Sequence, residues 1–317
     1  MKSKDAVVAV ISDIHAGSTT AVCPLRWQLF DGGTYHASPA QRIIHRQWRR
    51  SGTVVSNLLN EYKERKRLIL ILNGEPIDGD HHGTTQLITK NKTEQIDMSI
   101  ALLDEWLQIV DYQPKHGDSI YLVRGTSAHE RGEHINQIGR DIDGVIPYRK
   151  DKSPLIKDGR YYHLKLRRKV NGVLFDIAHH GFTRGSRSYT KSNTIRLRLI
   201  SMYFACLNDD LPIPKYVIRL RLISMYFACL NDDLPIPKYV IRSHKHYYTH
   251  ATYEDKKQDM WGCITPSWQI KTHYGNQAAA NDPLNTIGMI YFDVNESGSS
   301  KEYTEFIEME DTPVREF

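Results

Sequence analysis

"LILILNGEPIDGDHHG", residues 68–83, runs aliphatic side chains into a turn and then crowds Glu75, Asp78, Asp80, His81 and His82 together. An aliphatic run ending in Asn-Gly is the pattern of a buried strand that meets a loop. Carboxylates and imidazoles gathered at such a strand end need water or a cation among them. One cluster of this kind is explained as well by a polar loop facing water as by a metal site. The decision rests on whether other strand ends carry the same residue types.

They do. AVVAVI (6–11) leads into Asp13 and His15, SIYLV (119–123) into Gly125, Thr126, His129 and Glu130, VLFDIA (173–178) into His179 and His180, and KYVIR (238–242) into His244 and His246. In open α/β sheets the functional site lies at the carboxyl edge of the strands, so these groups can converge. In Asp-x-His and His-x-His the paired residues lie two apart, and an extended backbone projects them to one side. Each pair alone has an ordinary explanation: a turn cap for Asp13, local packing for His179 and His180, solvent for His244 and His246. Their joint recurrence in this order favours a metal site. Carboxylates with imidazoles and no thiolate suit Mn, Fe, Zn or Ni in a catalytic setting.

Between the strands lie helical patterns. Met98, Leu102, Trp106 and Val110 step by four within 94–112, with Leu103 and Leu107 widening the stripe. A second helical stretch covers 39–66, with a break expected near Ser51-Gly52. A further strand, IGMIYFDV, spans 287–294. Alternating strands and helices predict an α/β fold with a sheet covered on both faces, and the closer strands after residue 160 predict some antiparallel pairing.

The 317 residues, 40% hydrophobic, suffice for one domain over 1–317 with a sizeable core. A net charge of +5 suits a phosphate-bearing or nucleic-acid partner without requiring one. No stretch approaches the roughly 20 apolar residues of a membrane helix, and the N-terminal apolar run is too short for a signal peptide. A cytoplasmic protein with no membrane partner is therefore expected. Cys23, Cys206, Cys229 and Cys263 have no C-x-x-C spacing, which fits free thiols in that compartment.

Residues 195–217, IRLRLISMYFACLNDDLPIPKYV, recur without a change at 218–240. Solenoids need about three or more units, each adapted to its neighbours, so two identical copies do not make one. The repeat reads as an exact tandem duplication, one copy displaced as an insertion. Each copy is expected to give a helix, a proline-containing turn and a strand, but only the second copy's strand leads into the His244/His246 motif.

The ordered set SDIH, NGEPID, GTSAHE, AHHG and SHKH resembles the signature of the calcineurin-like metallophosphoesterases, and GEPIDGDHHGTTQLIT with RGTSAHE looks most like members borne by phages and prophages. The resemblance spans residues 7–246. It implies a four-layer α/β/β/α sandwich with mixed sheets and two divalent cations, Mn first with Fe, Zn or Ni as alternatives. Carried over, Asp13, His15 and His246 would hold one ion, His179 and His244 the other, and Glu75 would bridge them, with His180 an alternative to His179. His129 would assist the leaving group at a pKa near neutrality, with Glu130 as its orienting partner.

Four features depart from the family's pattern. Glu75 replaces its bridging Asp. Thr126 stands near its Asn ligand, in a longer loop, so that the second ion would lose a ligand, replaced by water, by Asp78 or Asp80, or by nothing. Ser243 replaces a Gly, and the duplication enters upstream of His244. The implied reaction is hydrolysis of a phosphate ester, preferably a phosphodiester, with nucleic acid among the candidates, by a hydroxide that two metals activate. Alternatives are a phosphomonoesterase or phosphoprotein phosphatase, and a metal-binding protein that keeps the fold with impaired turnover. Arg124, Arg131, Arg184, Arg187 and Lys245 could hold a polyanion, and Tyr247, Tyr248 and Trp268 could stack on a base or complete a core.

Overall fold

The computed structural model describes residues 5–81, 83–148, 160–180, 213–270, 272 and 285–308. In chain order the elements are β1 (Ala6–Ile11), β2 (Arg26–Gln28), β3 (Thr34–His36), α1 (Pro39–Leu59), β4 (Arg67–Asn73), α2 (Lys92–Ile109), β5 (Ser119–Val123) and α3 (Gly132–Asp141). Then come β6 (Tyr162–His163), β7 (Leu166–Val170), β8 (Val173–Ile177), α4 (Ile213–Asn231), β9 (Tyr239–Arg242), β10 (Thr249–Tyr253), β11 (Met260–Ile264), β12 (Thr286–Val294) and β13 (Ser300–Glu308).

Two mixed sheets face each other. The first has the order β13-β12-β1-β4-β5-β6, with β1, β4, β5 and β6 parallel and β12 and β13 antiparallel. The second runs β10-β11-β9-β8-β7, with β8, β9 and β11 parallel and both edge strands antiparallel. Every residue of β1 is buried, as a strand covered on both faces requires. Its alternate residues serve different layers. Val7, Ala9 and Ile11 pack in the core that Trp48 of α1 and Leu102, Leu103 and Trp106 of α2 share, while Ala6, Val8 and Val10 meet Phe175, Tyr239 and Ile241 of the second sheet. On that sheet's outer side Ile218, Leu222 and Tyr226 of α4 pack on Val240, Met260 and Ile264. The resulting α/β/β/α order is the predicted architecture.

Helix α1 begins at a capping box: the Ser38 hydroxyl accepts from Gln41 N at 3.2 Å, and the Gln41 side chain accepts from Ser38 N at 3.0 Å, with Pro39 in the first turn. The expected break at Ser51-Gly52 does not occur, and the helix ends at Leu59, short of residue 66. Ser51 Oγ donates to Trp48 O at 2.7 Å and accepts from Trp106 Nε1 at 3.1 Å. Gly52 is where α2 crosses: a Cβ there would stand 3.0 Å from Ile109 Cγ2. The pair is a close helix contact rather than a breaker.

The duplicated segment also departs from expectation. The second copy gives the predicted helix (218–231, within α4), turn and strand β9. The end of the first copy, residues 213–217, is helical and forms the start of α4, where a strand was expected. Residues 195–212 of that copy lie outside the described residues. The residues after each copy account for the difference: Leu220 and a further apolar helical run in one case, Ser243 and the His-x-His loop in the other.

Cys23, Cys229 and Cys263 are buried free thiols, and Cys206 lies outside the described residues. No helix among the described residues is long and apolar enough to cross a membrane.

Candidate metal centre

The parallel strands end side by side, and their loops are stitched together by main-chain bonds. Asp13 N donates to Gly74 O at 3.1 Å and His15 N to Glu75 O at 2.9 Å, and Ser243 N donates to His179 O at 3.1 Å. Gly74, at φ +86°, is required by close approach: a Cβ would lie 2.3 Å from His179 Nδ1. Gly125 is equally constrained, since its Cβ would come within 2.6 Å of Glu75 Cγ.

Five residues at these strand ends hold left-handed backbone conformations: Asp13 (φ 55°), His15 (50°), Glu75 (51°), His244 (76°) and His246 (57°). Such conformations cost a non-glycine residue free energy, of order 1–3 kcal/mol in sparsely populated regions, and persist where surrounding structure imposes them. Here the positions so held are all expected ligands.

Their side chains converge. Asp13, His15, Glu75 and His246 form one group able to hold an ion, and His179, His180 and His244 form a second. Glu75 reaches both. Its Oε2 lies 3.1 Å from His15 Nε2, and its Oε1 lies 3.1 Å from His179 Nε2 and 3.6 Å from His244 Nδ1. Asp13 Oδ1 stands 3.6 Å from His246 Nε2 and 3.9 Å from His179 Nε2. Donor atoms held about 2.0–2.2 Å from one ion are themselves about 3.0–3.5 Å apart, so the 3.1 Å separations fit shared coordination and those of 3.6 and 3.9 Å are slightly wider. His180 joins His179 in the second group rather than replacing it. His244, with its side chain 37% exposed, opens the site to solvent, whereas Asp13 and Glu75 are fully buried.

The imidazoles are oriented for this role. His179 Nδ1 lies 2.9 Å from Asn73 O and 2.8 Å from Ser243 Oγ. His15 Nδ1 lies 2.9 Å from Asp78 Oδ1, and His129 Nδ1 lies 2.7 Å from Asp78 O. In each ring the Nδ1 proton is thus engaged, and Nε2 faces Glu75. A ligating histidine is characteristically held this way. Asp13 Oδ1, Glu75 Oε2, His179 Nε2 and His244 Nδ1 are buried atoms without a hydrogen-bond partner among the described residues. His15 Nε2 and His246 Nε2 stand 3.2 Å apart. Orphaned buried acceptors and facing imidazole nitrogens are the donor set that a cation satisfies.

Electrostatics agree. Burial opposes charge on His15 and His179, yet the hydrogen bond that His15 donates to Asp78 and the nearby Glu75 carboxylate raise His15 to about 10, and the charges of Glu75 and Asp13 raise His179 to about 9. Burial likewise opposes charge on Glu75, but the histidines around it hold its carboxyl well below the ordinary range. The carboxylates therefore draw positive charge into the centre, and a divalent cation would satisfy the same potential while displacing those protons.

Several sequence expectations need correction. His129 is not near neutrality: burial, against the pull of Glu75, lowers it to about 4. Glu130 accepts a hydrogen bond from Gly125 N, and the ring of His129 is oriented by the Asp78 carbonyl instead. Thr126 Oγ1 donates to Glu75 Oε1 at 2.6 Å, fixing the bridging candidate. Asp78 orients His15, and Asp80 is exposed. Trp268 is fully buried against Trp48, Tyr247 packs under α4, and Tyr248 leans on Phe306, so these rings complete cores. Arg184 and Arg187 lie outside the described residues. Sequence reasoning missed Asn73 and read Ser243 as a mere departure from glycine; their only signal was adjacency to ligand-bearing strand ends.

No family model matches the chain, and no curated protein matches it. Among solved structures it is similar to a predicted phosphoesterase from Streptococcus pneumoniae TIGR4 (9% identity, 95% of this chain and 98% of that chain, TM-score 0.29). It is also similar to Vacuolar Protein Sorting 29 from Cryptosporidium parvum (7%, 96% and 100%, TM-score 0.34). A third is a sulfate thiohydrolase from Thermus thermophilus (10%, 96% and 57%, TM-score 0.39). Superpositions this loose decide nothing about chemistry, which rests on the chain's own residues.

Proposed function

We propose that this chain is a metal-dependent phosphoesterase, acting by preference on phosphodiesters at a centre of two divalent cations. The observation that carries the reading is Glu75, whose two oxygens stand 3.1 Å from imidazole nitrogens of two separate ligand groups. Asp13, His15 and His246 would hold one ion with Glu75, and His179, His244 and His180 the other. When bound, such a pair clamps a phosphoryl group, neutralises its developing charge and acidifies water.

The chain's own residues would do the rest. Asp78, Asn73 and Ser243 fix the rings of His15 and His179, so the donors are in place before substrate arrives. His129 Nε2, 3.9 Å from Glu75 Oε1, faces the same space. With its pKa lowered to about 4, it would have to take up a proton before it could protonate the leaving oxygen. Arg124, directly before the Gly125 loop, would meet negative charge on the ester.

The test is hydrolysis of bis(p-nitrophenyl) phosphate by metal-stripped protein on addition of Mn²⁺, beside a no-metal control. Metal-dependent release of p-nitrophenol is expected. Folded protein that binds Mn²⁺ and stays silent on both this diester and p-nitrophenyl phosphate would contradict the reading.

A further inference from the structure

Arginines and aromatic rings form a row on the side of the two sheets that bears the edge strands β6 and β7, starting at the loop after β5. Arg124, next to Gly125, has its guanidinium 5.8 Å from the Tyr162 ring centre. Arg160 lies between two rings, 4.5 Å from Tyr162 and 4.6 Å from Tyr148. Tyr148 meets His163 at 5.1 Å, His163 meets Tyr121 at 6.1 Å, and Arg168 of the edge strand β7 lies 5.2 Å over Tyr121. The row is continuous from β7 to the loop that contacts Glu75.

Three properties separate it from ordinary surface charge. None of Arg124, Arg160 or Arg168 is in an ion pair among the described residues, whereas the neighbouring Lys165 and Arg167 are both engaged by Asp176. Among the described residues the guanidinium groups meet rings instead of carboxylates, which leaves their charge unneutralised there. Tyr148, Arg160, Tyr162 and His163 are all half-buried, which holds them in place while leaving part of each accessible.

We propose that this row is a track for single-stranded nucleic acid: the arginines meet successive phosphates, Tyr148 stacks a base on the side that Arg160 does not cover, and Arg124 delivers one phosphodiester to the metal centre. A groove that tracks the backbone with cations and stacks bases on aromatic faces is the general solution for unpaired strands. The inference deepens the phosphodiesterase reading and rests on it.

The experiment measures anisotropy of a labelled oligothymidylate with metal-stripped protein across a salt series, so that binding is read without turnover. Wild type should bind, with log affinity falling as log salt rises. The Arg160→Gln/Arg168→Gln double variant should bind about tenfold or more weakly, and its salt slope should drop by about 1.4, at about 0.7 for each phosphate no longer neutralised. Tyr148→Leu should weaken binding and leave the slope unchanged. Arg168→Gln alone, which removes no hydrogen bond found in the structure, keeps the test valid should the double variant melt early; it should lower the slope by about 0.7.

Arg49→Gln/Arg50→Gln on α1 removes equal charge from another element and should bind as wild type does. An equal loss in that pair, an unchanged slope in both track variants, or displacement by inorganic polyphosphate as efficient as by unlabelled oligonucleotide would each overturn the track. Failure of the underlying reading shows separately, as absence of diester hydrolysis by wild type.

Discussion

The heptapeptide IPKYVIR occurs at 213–219 and again at 236–242, and the two copies fold differently. The first is the opening of α4; the second is a turn running into strand β9. Ile218 is buried between α4 and the second sheet, while Ile241 is buried between the two sheets. Arg219 is exposed, whereas Arg242 is buried, with Nη2 2.6 Å from Asp176 Oδ1 and Nη1 donating to Asp176 O at 2.8 Å. Local preference is the same in both places, so tertiary surroundings and the next residue, Leu220 or Ser243, make the choice. Only the strand copy has a partner waiting on each side, β8 and β11, and a carboxylate for its arginine.

The sharpest way to break this comparison is to remove that carboxylate. Asp176→Ala should cost about 3–5 kcal/mol, read as a fall in melting temperature, because it removes the carboxylate that balances the buried Arg242 guanidinium. Arg219→Ala, the same residue type in the helix copy, should stay within about 0.5 kcal/mol. Near-equal effects would mean that the pairing does not distinguish the copies. Burial opposes charge on Asp176, but Arg242 and Lys165 hold its carboxyl below the ordinary range. Its contribution is therefore complete above about pH 4, the unfolded value, and is lost as pH falls through the lower folded value. The gap between wild type and Asp176→Asn should narrow in acid.

Ile218→Ala and Ile241→Ala remove the same atoms from two cores and should each cost about 2–4 kcal/mol in denaturant unfolding. They should part in a second readout: only Ile241→Ala, at the strand that leads to the ligands, should also weaken Mn²⁺ binding. A smaller effect is expected one residue past the heptapeptide. Ser243→Ala removes a hydroxyl that bonds both His179 and Asn73, and should lower metal affinity about 10–100-fold with little change in melting temperature. The smallest effect belongs to deletion of 195–217, which leaves the whole second copy and its strand. Its unfolding free energy should stay within about 1 kcal/mol of the parent, and a larger loss would show that the first copy is structural.

The strands that bear the ligands were the most legible part of the sequence. β1 and β5 match their expected limits, and β4, β8 and β9 differ only at a terminal residue or two. β1 and the LILIL of β4 are unbroken apolar runs because both faces are covered, β8 and β9 interrupt theirs with the buried Asp176–Arg242 pair, and each strand leads into polar residues because it stops at the site. Strands with weaker signals escaped notice, such as β13 with its mostly half-exposed pattern and the β2-β3 hairpin. Gly52 misled because its role is a crossing contact with Ile109, which no local pattern encodes. The ligand types could be read one by one, but their supports could not. Asn73, Asp78 and Ser243 act on rings more than 60 residues away in the chain, through contacts that only the closed fold creates.

The proposed function rests on Glu75 joining two ligand groups into one dinuclear centre. Its most direct test is Mn²⁺ titration of the metal-stripped protein, with bound metal counted per chain and the spin coupling followed by electron paramagnetic resonance. The account predicts two ions per chain with a coupled spectrum, and loss of the coupling in Glu75→Gln. A folded protein that binds one ion or none, or a coupled pair that survives Glu75→Gln unchanged, would contradict it.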